Sequence, residues 1–163
     1  MNDYPKIGYK LVLTSYQDLD MAVYGRLKNI PCDETRFRRT SEVDHPVYNT
    51  DSDGKFIVWK GTEYIIISRP VPCLAIEEAF ERLYQNIEPY VFLIDRLRRE
   101  YQLCVSIIFC ILLDNDLSYP EMVVTKRIVH FASKIDAEIQ IWCDVDEDIG
   151  PQEGGSFDNF SRG

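Results

Sequence analysis

From Leu103 to Leu113 the chain reads Leu-Cys-Val-Ser-Ile-Ile-Phe-Cys-Ile-Leu-Leu, without a charge, glycine or proline. Apolar residues at both parities predict a strand buried on both faces. The odd positions (Leu103, Val105, Ile107, Phe109, Ile111, Leu113) are all large and the even ones smaller on average, so one face should receive closely packed helices. A membrane-spanning helix would need about 20 apolar residues. The run therefore predicts a central strand.

Other patterns arrange themselves around it. Ile7, Tyr9, Leu11 and Leu13 alternate with other residues and predict a strand over 7–14. Ser15 and Asp18 approximate a capping box, and Leu19, Val23 and Leu27 recur every fourth residue. They predict a helix to about Lys28, ended by Ile30-Pro31. Residues 35–40 predict an edge strand guarded by Arg36, Arg38 and Arg39. Residues 41–55 are polar and predict a long loop. Phe56–Trp59 and Thr62–Ser68 then read as extended segments across a Lys60-Gly61 turn.

Ile76, Phe80, Leu83, Ile87, Val91, Ile94, Leu97 and Tyr101 form a helical stripe. One straight helix of that length would span about 42 Å, so a break or kink is expected at Pro89. Residues 114–120 predict a turn and helix entry with Pro120 in the first turn. Val124, Ile128, Phe131 and Ile135 continue as a third stripe. Ala137, Ile139, Ile141 and Cys143 predict a final strand wet on one face. The order gives an α+β fold: a ferredoxin-like βαββαβ core extended by a further helix and strand.

Composition narrows the picture. At 163 residues the chain suits one domain, expected over 1–147, with an acidic, Gly-rich and disordered tail over 148–163. A net charge of −9, from 27 acidic and 18 basic residues, disfavours nucleic acid and suits a basic partner. Five cysteines, none in Cys-x-x-Cys spacing, argue against a disulfide framework or zinc site. Met-Asn-Asp-Tyr-Pro-Lys lacks a basic segment followed by an apolar core, so no signal peptide, no membrane association and a cytoplasmic location are expected.

Candidate chemistry is sparse. Cys32 and Arg38 have the Cys-x5-Arg spacing of cysteine phosphatases, but Asp33 and Glu34 place like charge inside the would-be phosphate cradle. Asn49, Asp51 and Asp53-Gly54 resemble the start of a calcium loop, yet Lys60 stands where the bidentate Glu belongs, so a turn is expected. His45 and His130 belong to no recognisable constellation. The acidic turns Asp18/Asp20 and Asp114/Asp116 would converge, with Asp144, Asp146, Glu147 and Asp148 as companions, only if the chain reversed at Pro89. Otherwise they serve helix starts. No catalytic residue, metal or cofactor is expected.

Several features together resemble the bacterial family catalogued as domain of unknown function 4279, over about residues 8–146. They are Asp18-Leu19 entering the first helix, Ile30-Pro31 after it and Glu88-Pro89 in the long helix. Arg96-Leu97-x-x-Glu100-Tyr101 and the run Asp116-Leu-Ser-Tyr-Pro-Glu121 complete the match. The tryptophan that family members carry before the long helix corresponds here to Tyr64 or Trp59. The resemblance implies a small bacterial cytoplasmic α+β domain and supplies no activity. By analogy with small acidic immunity proteins, the expectation is a non-enzymatic protein-binding module. Its contacts to a basic partner such as a toxin would be exposed Trp59, Tyr64 and Trp142 with Asp114 and Asp116. The alternative is a small-ligand sensing domain of the ACT type.

Overall fold

The apolar run forms β6 (Cys104–Leu113), which lies between β1 (Lys6–Ser15) and β7 (Ala137–Val145). The computed structural model describes residues 4–39, 48–50, 53–58, 61–113 and 119–145. Within them β2 (Glu34–Arg39) and β5 (Thr62–Pro72) complete one mixed five-stranded sheet in the order β2-β5-β1-β6-β7. β1 is antiparallel to both neighbours, β2 is antiparallel to β5, and β6 and β7 run parallel. Three α-helices pack against it, so the class is α+β as expected. Five strands ending on a parallel pair differ from a simple ferredoxin fold.

The middle of the sheet belongs to β1 rather than β6. Its alternation conceals this, because Gly8, Lys10 and Thr14 share a face while Lys10 is only 6% exposed. Ile7, Tyr9, Leu11 and Leu13 point to the helices, beside Tyr64 and Ile66 of β5 and the large odd residues of β6. The helices thus cover the large-residue face. On the opposite face Val12, Ile108 and Cys110 form a smaller buried cluster, flanked by Ile65 and Trp142.

The long helical stripe becomes α1 (Ile76–Ile87) and α2 (Val91–Tyr101), joined by a 3-10 turn over Glu88–Tyr90 that contains Pro89. Every stripe residue from Ile76 to Leu97 is buried. Because the joint is a turn within a continuing path, β6 returns antiparallel to β1.

Several expectations shift locally. Ser15 is a buried strand residue paired with Thr62, so it cannot cap a helix. Asp20 does so instead, accepting from the Ala22 amide at 2.8 Å, and the helix it starts is a 3-10 helix over Met21–Asn29. No helix begins at Pro120. Residues 119–125 stay extended because Glu121 forms a parallel bridge with Ala75, and α3 (Lys126–Lys134) starts only after Thr125, whose hydroxyl caps the Ile128 amide. Val124 consequently lies outside the helix and is exposed.

β2 is an edge strand, as its arginines suggest. Within the polar segment β3 (Tyr48–Thr50) forms and pairs with β4 (Phe56–Val58), part of the expected extended segment, in a separate ribbon turning through Gly54 at φ 79°. The expected tail at 148–163 lies outside the described residues. Among the described residues no helix is long and apolar enough to cross a membrane.

Candidate functional site

Of the five contact residues expected from sequence, Trp59, Asp114 and Asp116 lie outside the described residues, as do His45, Asp51, Asp146, Glu147 and Asp148. Tyr64 is not exposed. Only 2% of it is accessible, and its ring stacks on Tyr24 with centroids 5.0 Å apart. Its neighbours Ile65, Ile66 and Ile67 make β5 apolar at both parities, so the alternation that would have shown which way Tyr64 faces is missing. Trp142 is half-buried, its indole N–H donating to Gln140 Oε1 at 3.0 Å.

The strand ends that precede the two acidic turns lie apart. Ser15, which precedes Asp18, lies at the end of the sheet where β6 begins, and Leu113, which precedes Asp114, lies at the other. Ten strand residues put these ends about 30 Å apart. Asp18 pairs with Arg39 at 2.9 Å and Asp20 caps its helix. Among the described residues no group of three or more His, Cys, Asp or Glu side chains is placed to hold a metal.

The phosphatase-like spacing also dissolves. Partial burial pushes the Cys32 thiol up, the opposite of what a thiolate nucleophile needs. Arg38 instead reaches Glu63 at 3.2 Å across the β2–β5 pair. His130 is exposed on α3.

Two surfaces emerge that the sequence reading did not assemble. The first is an apolar edge. Glu121 donates its amide to Leu74 O at 2.8 Å and accepts from the Ile76 amide at 2.9 Å, pinning residues 119–125 beside the start of α1. The Cys73 amide donates to Pro5 O, which draws the N-terminal stretch to the same edge. Met122 sulfur lies 4.0 Å from Cys143 sulfur. Along this edge Tyr4, Leu74, Tyr119, Met122 and Val123 remain 40–70% exposed.

The second is a cleft of about 350 Å³ on the sheet face away from the helices. It opens where β5 bulges, Arg69 and Pro70 together facing Gly8 of β1 between the Ile7–Val71 and Tyr9–Ser68 pairs. Gly8 is required there, because a Cβ would lie 2.5 Å from Ser68 O and 2.7 Å from Pro70 N. Lys10 lines its floor, and Lys6, Arg36 and Arg69 stand around it with Glu34. Arg36 Nε donates to Glu34 at 2.8 Å. That bond, with the charges of Arg36, Arg69 and Lys10, holds the Glu34 carboxyl below the usual range. The Lys10 ammonium also sits 5.9 Å from the centre of the Trp142 ring. Ile67, Pro70, Cys110 and Leu112 supply apolar wall. These residues come from strands distant in sequence, so no spacing announces them. The one local sign was a lysine at an inner position of a strand.

The described residues define an α+β protein with an exposed apolar edge and a cationic cleft. No protein-family model, curated protein or solved structure matches the chain.

Proposed function

We propose that this protein is a non-enzymatic protein-binding module, immunity-like in the sense of neutralising a basic partner such as a toxin. The observation that carries the reading is the exposed apolar edge formed by residues 119–123 beside Leu74 and Tyr4. Exposed apolar side chains gathered along one edge suit an interaction site, and Tyr and Met are favoured contact residues. The net charge of −9 supports a basic partner through long-range steering. In this reading Tyr119 and Met122 take the anchoring role, and Tyr64 has none. We read β1, β2, β5 and β6 as the ferredoxin-like core, with α3 and β7 as the further helix and strand. The pattern likeness to the domain of unknown function 4279 family supports a small bacterial cytoplasmic domain.

The test is capture from lysate of the encoding organism by the immobilised chain and by a Met122→Ser/Val123→Ser variant. A basic protein held by the first and released by the second is expected. Equal retention by both, or none by either, would sink the reading.

A second reading, a small-ligand sensing domain of the ACT type, is favoured by the cleft beside Lys10. Its volume lies at the lower end of small-molecule sites, about 300–1,000 Å³.

A further inference from the structure

We propose that the cleft on the sheet face away from the described helices binds a small organic anion, a carboxylate or phosphate carried on a compact apolar body. The inference rests on the small-ligand reading and is independent of the apolar edge.

Its foundation is the placement of charge. Lys10 projects from the middle strand of the sheet, yet is 6% exposed. A buried ammonium is costly unless negative charge or an aromatic face meets it. Trp142 supplies the ring, and both Glu34 and Glu63 feel the Lys10 charge. Lys6, Arg36 and Arg69 then add three more cations at the cleft, against Glu34 as the acid among its described lining residues. This concentration of positive charge occurs in a chain of net charge −9. A concave site with an excess of one sign of charge in its lining focuses its field on ions of the other sign.

The shape selects further. Lysine ammonium groups offer point charges, and arginine guanidinium groups offer planar donors matched to carboxylate or phosphate. Ile67, Pro70 and Leu112 beside them favour an apolar body. A volume of about 350 Å³ suits a single ring or short chain better than a nucleoside triphosphate.

The test is titration of the full chain, followed by amide chemical shifts and calorimetry at low ionic strength. Benzoate and phenyl phosphate are the anionic probes; benzamide and benzylamine are the neutral and cationic counterparts. Saturable binding of an anion is expected, with shifts confined to β1, β5, β6 and β2 around the cleft. Lys10→Met and Arg69→Met should each weaken it about tenfold, and salt should weaken it progressively. Arg69 is exposed, so its variant guards against a Lys10→Met chain that fails to fold. Binding of one anion and not the other supports the proposal and names the headgroup. Benzamide or benzylamine binding as tightly would overturn the anion class while leaving the small-ligand reading standing. Silence from all four probes would remove both. Anion binding that Arg69→Met and Lys10→Met leave unchanged would overturn the site.

Discussion

Tyr64→Ala separates a core residue from a docking residue. The Tyr64 ring is 2% exposed and lies nearly parallel to Tyr24, 5° between planes, with Phe37 5.9 Å from Tyr24 on the edge strand. Truncation withdraws about 150 Å² of buried surface, which at about 25 cal/mol per Å² amounts to about 4 kcal/mol. Large-to-small aromatic substitutions in cores cost about 3–5 kcal/mol, so the two routes agree. With a urea slope of about 2 kcal/mol/M, the unfolding midpoint should fall by about 2 M. A Tyr24→Leu/Tyr64→Leu double-mutant cycle should show coupling of about 0.5–1.5 kcal/mol, the stacking contribution beyond burial. Equilibrium urea unfolding followed by far-ultraviolet circular dichroism measures both. A Tyr64→Ala midpoint within about 0.3 M of the parent would refute the argument. Such a result would return Tyr64 to the surface.

Gly61→Ala should destabilise by about 3 kcal/mol or more, because its Cβ would fall 1.8 Å from Ser15 O where β1 and β5 meet. Gly25→Ala meets nothing within 4 Å and should be neutral or stabilising by about 0.5 kcal/mol; thermal melts of the pair decide the point. Burial raises the Glu63 carboxyl against the opposing pull of Arg38 and Lys10. The folded state therefore holds that proton more tightly, and its contribution is full below the unfolded value of about 4.3 and lost as pH rises through the folded one. Glu63→Gln should thus compare more favourably with the parent at pH 7 than at pH 4 in urea midpoints. The reverse ordering would show that the Arg38 attraction dominates. Burial pushes the Cys110 thiol to about 11, so about one molecule in a thousand is thiolate at pH 8. Iodoacetamide at that pH should modify exposed Cys32, Cys104 and Cys143 first, and peptide mass spectrometry showing Cys110 among them would contradict its burial.

What the sequence made legible follows from how local each signal is. The stripe from Ile76 to Leu97 was readable because one helix face carries its own period, and all of it is buried. β6 was readable as an inner strand because eleven residues run without a charge, glycine or proline, although its face away from the helices is buried only in part, with Cys104 exposed and Ser106 and Leu112 half-buried. Tyr64 was not, since its orientation depends on alternation that Ile65, Ile66 and Ile67 erase. The helix expected at Pro120 yielded to two backbone hydrogen bonds with Leu74 and Ile76, partners about 45 residues away that no local propensity encodes. The cleft was harder still: Lys10, Arg36 and Arg69 lie on three strands and meet only through sheet register.

Pro89 is where these separate outcomes join. A chain reversal there would have set β6 parallel to β1 and brought the exits of both strands, with their aspartates, to one end. The 3-10 turn instead carries the chain onward into α2, and β6 returns antiparallel. Three consequences follow from that single joint. The Asp18 turn is left to pair with Arg39, far from the exit of β6. The exit of β6 comes to the end of the sheet where β5 feeds α1, so residues 119–125 can bridge to Ala75 and raise the apolar edge. The same antiparallel register sets Cys110 opposite Gly8 and Ile108 opposite Lys10, bringing β6 against the cationic positions of β1 at the cleft. The two surfaces proposed for binding are therefore products of one topological choice. Altering either by surface substitution should leave the other intact, because the apolar edge and the cleft share the β1–β6 register but no lining side chain.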